Sequence, residues 1–261
     1  MMKIGVESYG SFGDCCLLTP FIRDLSEKHG TAIDVAVHKK FADAFLNLPF
    51  INNIIQINRI NDGVKMFKAL KYDLYFNATQ GSYFRNNSGM FSLLDVPDKL
   101  SSIMRVHITD RRPVFIPTKT ELKVTENEKF DLAIESEYNS GQSWSKDQDI
   151  MMVLRAFKNK RILWCSKSEP PVEGLHRFNT RRETIAALIN VKHFFCVGSG
   201  IFCASLSKYR PENSYVLWSD GYFKYIQRFK ERGWDSTVTW IEDSEDLSSC
   251  LNRLRIQGFL N

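Results

Sequence analysis

Residues 7–14, Glu-Ser-Tyr-Gly-Ser-Phe-Gly-Asp, leave a β-branched run at Glu7 and gather hydroxyls, glycines and the acid Asp14 before an apolar helical stretch. Gly10 and Gly13 let the backbone come close to a ligand, Ser8 and Ser11 offer hydroxyls, and Asp14 stands at the head of the helix. In a parallel α/β sheet the turn after the first strand lies on the rim where ligands collect. The stretch is richer than a connection requires and reads as a ligand site. Asp14 also reads as a plain helix cap, a role worth roughly 0.5–2 kcal/mol through free N–H groups and the macrodipole. The Gly-Ser-Phe-Gly run does not supply the G-x-G-x-x-G of a dinucleotide fingerprint.

Two further constellations carry possible chemistry. In Phe194–Ser205 an apolar run meets Gly198-Ser199-Gly200 and then a helix, a turn whose successive N–H groups can form an anion nest for a diphosphate. The same glycines also suit a tight strand-to-helix turn. Residues 137–149 form a Gly/Ser-rich loop containing Ser143, and Lys146 lies where a cation could meet phosphate oxygens. As a capped helix, this segment has Ser145 as N-cap and Asp147 and Asp149 in the first turn, which disposes of Asp147-Gln148-Asp149 as a metal-binding pair.

These residues need elements to position them. Lys3 to Glu7, Ile33 to Val37, Asn53 to Ile57, Asp73 to Asn77 and Met104 to Ile108 read as strands. Between them Leu17 to Leu25, Lys39 to Leu46 and Val64 to Leu70 read as helices, the first stopped by Gly30. Pro20 leaves two options: Thr19 caps a helix that begins at Pro20, or the helix begins at Asp14 and kinks. Residues 110–128 hold prolines and charges without a period and read as a linker stretch, with the linker between the two domains set at 116–128. The alternation then restarts with strands at Phe130 to Ile134, Arg161 to Trp164, His193 to Val197, Tyr215 to Trp218 and Thr237 to Ile241. Helices are expected at Asp147 to Phe157, Arg182 to Ile189, Tyr222 to Arg232 and Glu245 to Leu254. The expectation is an α/β protein of two domains, 1–115 and 129–261, each a parallel sheet covered by helices.

The chain has 261 residues and a formal net charge of +5, with its basic residues dispersed apart from short knots such as Lys158-Asn159-Lys160-Arg161 and Arg181-Arg182. That pattern suits an anionic ligand and argues against nucleic acid as a partner. The six cysteines form no C-x-x-C pair and the five histidines no ligand spacing, so no metal is expected. No apolar run reaches the ~18 residues of a membrane span, and the N-terminus enters a strand without the pattern of a secretory signal. A cytoplasmic protein with at most peripheral membrane contact is expected.

Ser11-Phe12-Gly13-Asp14 with Leu17-Leu18-Thr19-Pro20 and Arg23-Asp24-Leu25 resembles the N-terminal signature of the heptosyltransferase-like glycosyltransferases, family nine. Residues 41–55 resemble that family's next helix and strand, and Lys71 to Tyr83 its Y-D-x-x-[IV]-[DN]-x-Q-G strand. Residues 178–207 are similar to its second-domain run ending D-S-G-x-x-H. The resemblance implies a GT-B fold, two Rossmann-like domains facing across a cleft, with acceptor on the first and nucleotide-diphosphate sugar on the second. It implies inverting, metal-independent sugar transfer to a glycan or glycolipid hydroxyl, with no cofactor. Asp14 is then the catalytic base, with Ser11 and Gly13 in the acceptor-side loop. Ser143, Lys146, Gly198, Ser199 and Gly200 face the donor. Glu173, with Glu169 as the other candidate, takes the place of the ribose-binding acid. The family's acid and histidine are replaced by Gly198 and Cys203.

Overall fold

The computed structural model describes residues 2–8, 10–78, 95–136, 147–217, 238–241 and 244–260. The expected strand at Asp73 to Asn77 appears as β4 (Leu74–Asn77), beside β1 (Ile4–Ser8), β2 (Ile33–His38) and β3 (Ile51–Ile57). They form one parallel sheet in the order β3-β2-β1-β4. β5 (Phe130–Glu135), β6 (Ile162–Trp164), β7 (Val191–Val197), β8 (Asn213–Leu217) and β9 (Val238–Ile241) form a second, ordered β6-β5-β7-β8-β9, also parallel. β1 is buried at all of its positions and β5 at all but one, as strands covered on both faces must be. An isolated parallel bridge between Leu163 and His176 adds a strand-like position outside β6. Counting it, the second sheet follows the order of a dinucleotide-binding doubly wound sheet, and the first sheet carries the start of that order.

The chain divides into two compact units, residues 1–118 with 206–208, and residues 119–205 with 209–261. The division falls inside the segment expected to be a linker, but that segment is not irregular throughout. Thr109 N–H donates to Asp24, Val114 N–H to Thr19 Oγ1, and Asn47 Nδ2 to the Pro117 carbonyl, so 109–117 is bonded to the first unit. From Lys119 the chain forms a helix, numbered α4 below, Lys119–Thr125, seven residues long. So short a helix has little stability of its own. It is held because Glu121 takes a two-pronged ion pair from Arg182, at 2.7 and 3.1 Å, and Thr125 accepts from Asn190. Arg182, read in the sequence as part of a basic knot, is buried in this pair.

In the first unit, α1 (Phe12–His29) begins well before Pro20 and contains it. Pro20 has no N–H for the Cys16 carbonyl. Thr19 Oγ1 donates to that carbonyl at 2.7 Å instead, so the helix runs on past the proline. α2 (Asp62–Ala69) and α3 (Asp95–Met104) complete the unit's helices among the described residues, and Lys39–Phe45 is a 3-10 helix. Met104 to Ile108, expected as a strand, is the end of α3 followed by chain outside either sheet. Val106 and Ile108 are buried at alternate positions, and Lys28 Nζ donates to the Met104 and Arg105 carbonyls. Alternation there reports one buried face, not a ladder partner.

Gly63, in the first turn of α2, permits a close approach to β2. A Cβ there would stand 2.4 Å from Ala36 Cβ and 3.0 Å from a Glu7 carboxylate oxygen. Gly63→Ala is expected to destabilise the first unit by about 2 kcal/mol, the usual scale of overpacking, read from the denaturant midpoint.

The second unit adds α5 (Asp147–Ala156), α6 (Arg181–Ala187), α7 (Gly200–Ser205) and α8 (Ser244–Ile256). The helix expected at Tyr222 to Arg232 lies outside the described residues. The core of this unit joins Leu132, Ile134, Phe157, Trp164, Phe195 and Tyr215 to Leu247, Leu251 and Leu254. His193 is enclosed in that core, its Nδ1 3.2 Å from the Tyr215 hydroxyl. Burial, helped by Lys192, pushes its imidazolium down to about 4 from the ordinary 6.5. The unfolded chain therefore binds more protons between these values. Stability falls as pH drops from about 6.5 towards 4, by roughly 3 kcal/mol in all for this group. His193→Gln should flatten that limb of the unfolding midpoint against pH.

Candidate functional site

The carboxyl ends of the central strands carry most of the polar groups singled out above. Ser11, extended at φ −72° and ψ 176°, is the N-cap of α1, and it forms a reciprocal capping box with Asp14. Ser11 N–H donates to Asp14 Oδ2 at 2.6 Å. The cap reading of Asp14 is therefore realised, yet it uses one carboxylate oxygen. Oδ1 is buried and has no hydrogen-bond partner among the described residues. Burial pushes the carboxyl up to about 6 from 3.8, against the two Ser11 bonds that pull it down. At neutral pH Asp14 is mostly ionised with a free lone-pair oxygen and a proton affinity close to ambient, the condition for a general base. Gly10 makes the arrangement possible, because a Cβ there would meet Asp14 Cβ at 2.5 Å and Oδ2 at 2.6 Å. Gly13 is buried in the first turn, and Ser8 Oγ lies 3.4 Å from Cys15 Sγ.

Beneath this loop lies a carboxylate that the sequence reading did not single out. Glu7, fully buried near the end of β1, accepts from Val64 N–H at 2.9 Å, from Asn61 N–H at 2.5 Å and from Asn77 Nδ2 at 3.2 Å. It serves the α2 N-terminus and ties β1 to β4 where the loop departs. Burial raises its carboxyl above the ordinary range, while the backbone N–H groups of Val64, Asn61 and Gly63 lower it.

The second unit has a counterpart. Glu135, the last residue of β5, is buried, and the Ser199 hydroxyl donates to it from the turn after β7. Ser199 Oγ in turn accepts from Phe202 N–H at 3.0 Å, and Ser199 N–H donates to the Val197 carbonyl at 2.7 Å. Ser199 thus faces inward and fixes the turn, so its N–H is not open to an anion. The flanking Gly198 and Gly200 are partly exposed. Glu135 and Ser199 span the crevice between β5 and β7, where the strand order reverses, as Glu7 and Asn77 do between β1 and β4. Both strands end in an aliphatic residue followed by Glu-Ser, at Val6-Glu7-Ser8 and Ile134-Glu135-Ser136, and this repeat was the available signal. Ser136 continues the edge, its N–H donating to Ser166 Oγ at 2.7 Å. Burial and Glu135 push the Cys165 and Cys196 thiols well up, so both remain neutral.

Other expected residues are spread more widely. Ser143 and Lys146 lie outside the described residues. Glu173 is exposed on the loop after β6, where doubly wound sheets carry a ribose-binding acid, and Glu169 on the same loop pairs with Arg177 at 3.1 Å. Asp147 is exposed and Asp149 buried, so the two carboxylates do not converge. Cys203 is half-buried on α7.

Two parallel Rossmann-like sheets in one chain, each with a polar rim at its reversal point, define an α/β protein of the GT-B class. The structure is similar to that of the ADP-heptose LPS heptosyltransferase II of E. coli, with a TM-score of 0.67 at 12% identity over 98% of each chain. It is similar also to a glycosyl transferase family 9 protein of Veillonella parvula, with a TM-score of 0.66 at 11% identity over 98% of this chain and 89% of the other. The E. coli heptosyltransferase WaaC, solved with ADP, gives 0.62 at 11% identity over 98% of each chain. No protein-family model matches the sequence, and no curated protein matches it.

Proposed function

We propose that this protein is a glycosyltransferase that moves a sugar from a nucleotide-diphosphate sugar to a hydroxyl of a glycan or glycolipid, with inversion and without a metal. The observation that carries the reading is Asp14: an acid locked by its own cap, with a second oxygen unsatisfied and a proton affinity near neutrality. Support comes from the shared fold, whose solved examples include heptosyltransferases crystallised with ADP and with ADP-2-deoxy-2-fluoro heptose.

In the mechanism, Asp14 Oδ1 accepts the proton of the acceptor hydroxyl as that oxygen attacks the anomeric carbon. The bond from that carbon to the diphosphate breaks on the opposite face, and the nucleoside diphosphate leaves with the electron pair. The hydroxyl must come within about 3.2 Å of the base, or reach it through one water. On the donor side Gly200 N–H and Lys146 meet the departing diphosphate, Ser143 lies in the same loop, and Gly198 lets the phosphates approach. Ser199 and Glu135 hold that turn, and Glu173 takes the ribose. Residues 1–115 form the acceptor domain and 129–261 the donor domain, and the protein works in the cytoplasm.

A second reading, a nucleotide- or glycan-binding protein of the same fold without turnover, draws on Gly198 and Cys203 in place of the family's acid and histidine. Incubation with a panel of nucleotide sugars, in chelator, separates the two. Nucleoside diphosphate should be released from one donor class, slowly to water and faster with acceptor, and the product should have inverted anomeric configuration. Tight binding without any release would establish the non-catalytic reading.

A further inference from the structure

The knot Lys158-Asn159-Lys160-Arg161 has no part in this mechanism, and the fold shows what it joins. In right-handed crossovers each helix runs back to the start of the next strand, so α4, α5, α6 and α8 all finish at the amino-terminal edge of the second sheet. That edge is opposite the rim bearing Gly198 to Gly200. The exposed large apolar side chains described in this unit are Leu122, Val124, Ile189, Ile256 and Phe259, and all lie on α4, on the last turn before β7, or at the end of α8. Ile256 is 81% exposed and Ile189 51%. Phe259 rests its ring edge-on against His193, at 5.0 Å between centroids, and its own exposure is 44%.

Cations share this edge. Lys158, Arg161 and Lys192 are exposed at the starts of β6 and β7, and Arg253 and Arg255 in the last turn of α8, with Lys160 partly exposed. Of the acids at this edge, Glu128 and Asp131 pair with Arg161 and Lys192, exposed Glu212 lies near Lys192 and Glu126 follows α4, fewer than the cations, and Arg161 also lies 4.9 Å over the Phe130 ring. Helix C-termini favour cations by themselves. They do not favour a bare isoleucine at the outermost position.

We propose that the amino-terminal edge of the second sheet docks on an anionic lipid bilayer, with Ile256 and Phe259 entering the headgroup boundary and the surrounding Lys and Arg side chains meeting lipid phosphates. Charge complementarity chooses an anionic surface, and the apolar pair chooses a bilayer over nucleic acid, because isoleucine neither stacks on a base nor hydrogen-bonds to one. Docked this way, the rim at the other end of the same sheet faces solvent, where a soluble nucleotide sugar arrives.

The test is co-sedimentation of the full chain with phosphatidylcholine vesicles, with and without phosphatidylglycerol. Binding is expected only to the anionic vesicles. Each cation lost, as in Lys158→Gln or Arg255→Gln, should weaken it by about fivefold. Ile256→Asp, at an exposed position that leaves the fold intact by circular dichroism, should abolish it. Absence of binding to anionic vesicles by the wild-type chain would overturn the proposal. So would binding that Ile256→Asp leaves unchanged, or a retention on heparin and DNA that exceeds any on vesicles.

Discussion

Asp14→Asn is expected to lower turnover by roughly two to four orders of magnitude while leaving donor affinity unchanged, because it removes a proton acceptor and nothing that touches the nucleotide. The reason lies in how the residue is held. Asparagine can still accept from Ser11 N–H, so the cap survives, but the position occupied by Oδ1 becomes an amide with no basicity. Stability should not fall with activity. A carboxyl raised to about 6 in the folded protein binds protons there more readily than in the unfolded chain, so its ionisation at neutral pH opposes folding. That contribution to stability rises as pH falls from about 6 towards 4, opposite in sign to the His193 effect. Asp14→Asn should therefore unfold no lower than wild type at pH 7. The wild-type kcat/KM should fall on the acid side with an apparent pKa of about 6, and the variant's residual rate should lack that limb. Near-wild-type turnover by the variant with a competent acceptor would remove Asp14 from the chemistry and leave it a cap.

The second large effect is expected at Ser199. Its hydroxyl donates to buried Glu135 and accepts from Phe202 N–H, so Ser199→Ala removes a partner from a carboxylate and from an amide in one step. The loss should be about 3 kcal/mol of stability, since bonds to charged groups are the stronger kind and their loss is the more costly. Donor affinity should fall with it, because the turn that presents Gly200 is no longer tied to β5. A double-mutant cycle with Glu135→Gln separates the pair from its surroundings. A coupling near zero would show that the two residues act independently.

The fold was legible where burial and periodicity coincide. Ile33 to Val37 and His193 to Val197 are continuous apolar runs because strands of a covered parallel sheet have no solvent face, and the helices between them carry the helical period. Legibility failed where a local pattern had two physical causes. Val106 and Ile108 alternate with polar neighbours as a strand would, yet Val106 bonds through its N–H and carbonyl to Ser101 of α3, while Met104, Arg105 and Thr109 around them bond to side chains of α1. α4 looks irregular since its stability comes from Arg182, sixty-one positions away from Glu121. The candidate site divides in the same way. The loop at Ser11 to Asp14 is concentrated in sequence and could be found there. Glu7 and Glu135 could not be found by polarity, because an acid at the end of a buried strand reads as the strand's exit into solvent. Only the repeated Glu-Ser ending marks them as a pair.

The most direct measurement is a calorimetric titration of ADP, UDP, GDP and their sugar conjugates into the purified protein in chelator, repeated on Ser199→Ala and Asp14→Asn. One nucleotide class should bind to wild type, equally to Asp14→Asn, and weakly or not at all to Ser199→Ala. A folded wild-type protein that binds none of them, or a nucleotide held as well by Ser199→Ala as by wild type, would contradict the placement of a donor site at the β5/β7 crevice.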